Sequence, residues 1–320
     1  MPVYTIHHVT KYEYDRLIKE SCNEIKIYPF ISTEQEVIEH AVQITNHPEV
    51  FTFKDYFGNK TGVFNVLPKH NKLVIESKLT IRTIAPEKEV STVESNWKQL
   101  ENEVSENFQL FDFSTQNAIK NEEEIQQIIQ AIDPSTKSIA TIIQAASNYV
   151  FTHFKYVKGI TSVETTVDEI LEVKAGVCQD FAHVLLQILR SLKIPCRYVS
   201  GYICPNKNGL RGEGATHAWI EAFVPNYGWA GIDPTNDVWV TDNHIKLAVG
   251  KHFADCTPVK GTFKGPAKQQ LSVYVSVGYE DGHVFEDVNN INMEFTPSAA
   301  PTKESFVVDS IIQQQQQQQQ

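Results

Sequence analysis

Three things are scarce in this sequence: surplus positive charge, clustered cysteine and long apolar runs. Lysine and arginine number 28 against 39 aspartates and glutamates, a formal net charge of −11. A chain without a basic surplus lacks the electrostatic footprint of non-specific nucleic-acid binding, and it has no attraction to an anionic membrane surface. The cysteines Cys22, Cys178, Cys196, Cys204 and Cys256 are five and scattered. An odd, unclustered set builds no disulfide framework, and with no C-x-x-C or H-x-x-x-H pair it has no zinc-site spacing either. No apolar run approaches the ~20 residues of a spanning helix. The start, Met1-Pro2-Val3-Tyr4-Thr5-Ile6, lacks the basic-then-apolar pattern of a secretory signal. Free thiols without a visible signal lead us to expect a cytoplasmic protein.

What is present suffices for a large core. Hydrophobic residues make up 41% of 320 residues, a length that suggests two domains or one large one with additions. Residues 1–92 read as strands: Val3–Tyr14, Glu24–Phe30, Val37–Thr45, Val50–Phe57, Gly62–Leu67 and Lys72–Ile84, with a turn at Gly58-Asn59. Short strands with turn signals between them predict a β-sandwich. The pair His7-His8 reads as two ordinary strand histidines. After Pro86 the pattern turns helical, over Val93–Phe108, Gln116–Ala131 and Ser135–Phe154. In the last of these Ile139, Ile142, Ile143, Ala146 and Val150 recur at helical spacing. Thr166–Val173 is a short helix, and Cys178–Leu192 a strong one ended by Lys193-Ile194-Pro195. Strands follow at Cys196–Cys204, Ala215–Val224 and Gly228–Asp233, and a last strand, Leu271–Gly278, is expected to close the domain. Helices followed by an antiparallel sheet make an α+β domain over residues 93–290. The tail, 291–320, ends in eight glutamines and has a disordered composition.

The chemistry concentrates in the second part. Cys178 follows Gly176 and opens a helix, where unpaired N–H groups and the helix dipole favour a thiolate. The other four cysteines lack a helix start beside them and read as core or loop residues. His217 opens a strand that turns at Pro225-Asn226-Tyr227-Gly228. Asp233 ends the returning strand, sixteen residues on and symmetric about Pro225, so a hairpin brings the two together. Such a pair orients an imidazole as general base for a thiol. Asp180, two residues past Cys178, is a charge that works against a thiolate unless it serves the helix start. The run Glu122-Glu123-Glu124 lacks calcium-loop spacing and reads as a solvated helix face.

The segment Gly176-Val177-Cys178-Gln179-Asp180-Phe181-Ala182-His183 resembles the nucleophile motif of bacterial transglutaminase-like proteins. Arg197-Tyr198-Val199-Ser200-Gly201-Tyr202, Thr216-His217-Ala218-Trp219-Ile220-Glu221 and Asp233-Pro234-Thr235-Asn236 resemble the motifs that follow it. Residues 245–250 and 255–265 are similar to that family's C-terminal signature, and Tyr56-Phe57-Gly58-Asn59 to its N-terminal region. The resemblance covers roughly residues 1–280. It implies a papain-like core with Cys178, His217 and Asp233 as catalytic triad, acting on a carboxamide or peptide carbonyl of a protein or peptide through a thioester, with no metal or cofactor. The alternatives are a cysteine peptidase or amidase and, outside enzymes, a binding module that keeps the fold. For the second oxyanion donor, Tyr156 is a candidate beside the Cys178 N–H.

Overall fold

The computed structural model describes residues 1–162, 164–204, 211, 216–279 and 284–287. Six strands come first: β1 (Val3–Ile18), β2 (Glu20–Ile25), β3 (Gln35–Ile44), β4 (Phe51–Lys54), β5 (Lys60–Val66) and β6 (His70–Thr83). In β1 the residues Tyr4, Ile6, His8, Thr10, Tyr12 and Tyr14 alternate inward, the period-2 pattern of a strand buried on one face. Helices follow: α1 (Trp97–Glu106), α2 (Phe108–Phe113), α3 (Glu122–Ile132) and α4 (Ile139–His153). Then come β7 (Lys155–Tyr156), α5 (Val167–Val173), β8 (Ala175–Gly176) and α6 (Cys178–Ser191). The chain continues through β9 (Cys196–Ile203), β10 (Thr216–Val224), β11 (Gly228–Asp233), β12 (Val238–Trp239), β13 (His244–Gly250) and α7 (Phe253–Cys256). It ends with β14 (Val259–Lys264), β15 (Gln269–Tyr279) and β16 (Val284–Asp287). The glutamine-rich tail lies outside the described residues.

The helix expected at Val93–Phe108 is shorter, running as α1 over Trp97–Glu106, and an unexpected helix, α2, follows it. Asn96 caps α1 through a reciprocal box with Gln99. Asn107 then adopts an extended backbone and its side chain accepts from Gln109 and Leu110 N–H groups, which starts α2 afresh. The stop of α6 follows the sequence: Lys193 turns left-handed at φ 62° and Ile194 N–H closes back on Leu189.

The sheets correct the expected domain boundaries. The strand predicted at Leu271–Gly278 does not close the second domain. As β15 it pairs antiparallel with β1 from Tyr4↔Tyr279 to Tyr14↔Gln269. The order of this sheet is β16-β15-β1-β6-β3, and a second sheet runs β14-β2-β5-β4. Residues 259–287 therefore return to the N-terminal β unit, and residues 97–256 are inserted between its two parts. The physical reason is that β1 has two edges and β6 covers only one. Core between the two sheets comes from both parts of the chain, Tyr12, Ile18, Phe64 and Ile75 packing with Val259 and Leu271.

The inserted unit has a central α6 with helices on one side and a sheet of order β12-β11-β10-β9-β13 on the other. Every α6 residue except His183 and Ser191 is buried, so the helix has no solvent face. On the α6 side, Tyr198, Ile220, Ala222 and Ala248 join its core. On the opposite side, Val199, Trp219 and Val249 meet Phe30 and Phe57 of the β unit. A second seam joins Ile6, Leu79 and Val277 to Tyr202 and Ile245. Gly201 allows this layering: a Cβ there would stand 2.0 Å from the Ile245 carbonyl oxygen and 2.6 Å from the Trp219 ring.

Candidate active site

Cys178 is the first residue of α6 and is buried. The segment ahead of it is held by β7 and β8, which pair in parallel as Lys155↔Ala175 and Tyr156↔Gly176. Asp180 closes the helix start. Its Oδ2 accepts Val177 N–H at 2.8 Å and the Thr161 hydroxyl at 2.7 Å. Burial is the main influence on this carboxyl and raises its pKa to about 6 against those two hydrogen bonds. So Asp180 bridges the helix start and Thr161, rather than standing as a free charge beside the sulfur. Gly176 makes the room, since a Cβ there would lie 2.4 Å from Asp180 Oδ2.

The hairpin of β10 and β11 pairs Val224↔Gly228 and Ile220↔Ile232. This register is two residues off the symmetric one about Pro225. It sets Asp233 across from Trp219 and diagonal to His217, on the same face of the hairpin. The diagonal suffices: His217 Nε2 lies 2.8 Å from Asp233 Oδ2, with both side chains fully enclosed. Asn236 Nδ2 donates to the same oxygen at 2.7 Å, and Thr235 N–H to Oδ1 at 2.9 Å.

With Nε2 committed to Asp233, the remaining ring nitrogen of His217 is Nδ1. Among the described residues it has no hydrogen-bond partner. Cys178 stands within electrostatic reach of the ring and favours its charged form. Burial disfavours the imidazolium, but Asp233 and then Cys178 outweigh it and lift the ring pKa to about 10. Asp233 is held well below the carboxylate range: burial works to raise it, and His217 with His244 overcomes this. The structure thus joins His217 directly to Asp233 and sets Cys178 within electrostatic reach of the ring.

The rest of the expected cysteines are elsewhere. Cys196, Cys204 and Cys256 are buried and free, with burial raising each thiol, that of Cys196 to about 11. Cys22 is exposed in β2. His7 pairs with Glu76 at 2.7 Å, and His8 with the Tyr202 hydroxyl at 2.8 Å. The ring of Tyr156 feels Cys178 and Asp233, and its phenol is kept protonated by burial first and those two charges second.

The sequence reading missed His244. Its side chain is wholly buried, and its Nε2 lies 3.4 Å from Asp233 Oδ2. The only signal was a histidine heading the strand 245–250. The ligating atoms of His217, Asp233 and His244 fall within 4.8 Å of one another. The 2.8 Å approach of His217 to Asp233 is a hydrogen-bond distance. Two zinc ligands, each about 2.0–2.2 Å from the ion in a tetrahedral site, stand farther apart than that. The cluster reads as hydrogen-bonded.

Residues 126–234 match the sequence profile of the transglutaminase-like superfamily, and residues 4–82 that of the bacterial transglutaminase-like N-terminal region. An uncharacterised protein of Mycobacterium leprae is 32% identical over 286 residues, spanning 84% of this chain and 96% of that one. A protein-glutamine γ-glutamyltransferase of Pseudomonas aeruginosa is 32% identical over 83 residues, 24% of this chain and 12% of the other. Among solved structures, a Cytophaga hutchinsonii protein described as a candidate cysteine protease aligns over 95% of this chain and 96% of its own, with a TM-score of 0.68 at 20% identity. That likeness speaks for the fold. By these matches the chain belongs to the transglutaminase-like superfamily and carries the N-terminal region of its bacterial members.

Proposed function

We propose that the protein is a thiol-dependent enzyme that transfers or hydrolyses the acyl group of a carboxamide or peptide bond, with Cys178 as nucleophile. One observation carries this reading. Cys178 opens a buried helix within electrostatic reach of a histidine whose Nε2 lies 2.8 Å from a buried carboxylate. In the first half-reaction the sulfur attacks the amide carbonyl while His217 carries the thiol proton. The carbonyl oxygen becomes an oxyanion near the Cys178 N–H, and the Tyr156 phenol, which is kept protonated, is the side chain suited to donate the second hydrogen bond. Collapse breaks the C–N bond, and His217 hands its proton to the departing ammonia or amine. The acyl group is left on sulfur as a thioester. In the second half-reaction His217 takes a proton from an amine or a water molecule as it attacks, and the thiol leaves regenerated. Asp233 holds the ring and its charge throughout.

The glutamine-directed activity named for the Pseudomonas relative makes a glutamine carboxamide the first substrate to try. The test is mass spectrometry of a glutamine-containing peptide library incubated with the full chain, with and without a primary amine. The expected result is loss of ammonia with gain of the amine, or of water when amine is absent. Backbone cleavage would make the enzyme a peptidase. No product with any peptide, and no Cys178 adduct, would overturn the reading. Tyr156→Phe is expected to lower kcat by about a hundredfold or more with the thiol still alkylated, as loss of one oxyanion donor does.

A further inference from the structure

β13 is an edge strand of the inserted sheet, and two side chains of the β unit occupy its open hydrogen-bonding positions. Gln35 Nε2 donates to the Lys246 carbonyl at 2.9 Å, and its Oε1 accepts Lys246 N–H at 2.9 Å. Asn59 does the same for Val249, at 2.8 Å in both directions. Phe30 N–H adds a second donor to Lys246 O at 2.9 Å. Amides placed this way imitate a neighbouring strand and fix β13 in both position and register.

His244 heads that strand. Its ring packs edge-on to Trp219, with centroids 5.1 Å apart, and stands 6.1 Å from the His217 ring. Among the described residues Nδ1 has no partner, whereas Nε2 faces the oxygen of Asp233 that His217 also uses. A neutral imidazole carries one N–H, and the carboxylate selects Nε2 to bear it. Burial opposes charging of the ring, as does the neighbouring His217, while Asp233 favours it; the balance lowers the His244 pKa. Further along the same face stand Glu221 with Lys246, and Glu34 and Lys88 line the cavity against it from the β unit and the segment that follows it.

We infer that His244 is a positioning residue for the Asp233–His217 pair: its Nε2–H keeps Oδ2 turned toward His217, and the β unit sets its place through the Gln35 and Asn59 clamps on β13. The inference rests on the reading of Cys178, His217 and Asp233 as the reactive set. It assigns the β unit a part in the chemistry without giving it a reacting group.

The test compares His244→Gln, whose amide N–H reaches the position of Nε2, with His244→Asn, whose shorter amide does not. The readout is the pH dependence of Cys178 alkylation by iodoacetamide in the full-length chain, resolved by peptide mass spectrometry, with Tm measured alongside. His244→Gln is expected to keep the profile and a rate within about threefold of the unmodified chain, whereas His244→Asn loses about tenfold, the size of one hydrogen bond. In the Asn variant the high-pH limb also moves down, because a loosened Asp233 no longer holds the imidazolium. Equal rates and profiles for the two variants would overturn the inference, whatever their Tm values. If Cys178 in the unmodified chain does not react at all, the functional reading falls and takes this one with it. A reactive thiol indifferent to His244 sinks this one alone.

Discussion

Asp233 receives four hydrogen-bond donors: His217, Asn236 and His244 on Oδ2, and Thr235 N–H on Oδ1. Removing the acceptor strands all four in a dry site. Asp233→Ala is expected to cost roughly 3–5 kcal/mol in chemical denaturation, the usual effect of breaking a buried charge pair. Its pH signature is specific. The folded His217 pKa, about 10, lies above the unfolded value of 6.5, so the ring's contribution is complete below 6.5 and is lost as pH climbs toward 10. Asp233 is depressed, so its contribution is present above its unfolded value of 3.8 and fades in acid. The stability gap between the unmodified chain and Asp233→Asn should therefore be widest between those two unfolded values and narrow toward pH 10. A gap that does not change with pH would remove the ion pair from the account. Cys178→Ala, by contrast, should remain folded to within about 1 kcal/mol, because a small side chain suits a helix start. Turnover should drop by at least about a thousandfold, more than Asp233→Asn loses, since the thiol reacts and the carboxylate only orients.

Among the elements, helices were the more legible in sequence. Ile139, Ile142, Ile143, Ala146 and Val150 all lie in the core as their spacing required, and α6 begins at Cys178. Strand positions were legible too, since alternation is local. Which sheet a strand joins is not local, which is why β15 was placed with the wrong neighbours. The hairpin register escaped for a related reason: Asn226 at φ 67° and Gly228 at φ 97° shape the turn, and symmetry about Pro225 misplaces the pairing by two. His244 escaped because β13 is not a neighbour of β11, so no hairpin spacing links it to Asp233. Two glycines give tests at this scale. Gly176→Ala pushes against Asp180, which must leave the helix start, and Cys178 alkylation is expected to slow severalfold in a chain that still folds. Gly201→Ala meets a backbone carbonyl at 2.0 Å, so β9 and β13 cannot both stay in place. A loss of roughly 3 kcal/mol or more, or failure to fold, is expected there. A wild-type melting temperature in Gly201→Ala would count against the layered packing.

At the scale of the molecule, the β unit is discontinuous and the inserted unit leans on it. Residues 95–290 look on sequence like a stand-alone catalytic segment able to keep its thiol reactivity. That cut carries β14 and β15 away from β2 and β1, and it strips Gln35 and Asn59 from β13. The fragment is expected to aggregate or to give a broad, non-cooperative thermal transition by circular dichroism, whereas the full chain melts sharply. A soluble fragment with wild-type Cys178 labelling would show the clamps to be dispensable. The same interruption imposes a timetable. β6 ends at Thr83, and the strand that covers the free edge of β1 begins only at Gln269. On a ribosome adding about 5–20 residues per second, that edge waits on the order of ten to forty seconds for its partner. Through that interval β1, the longest strand, presents bare backbone groups to any other chain nearby. The sheet that begins with the first strand is thus complete only when the last strands emerge.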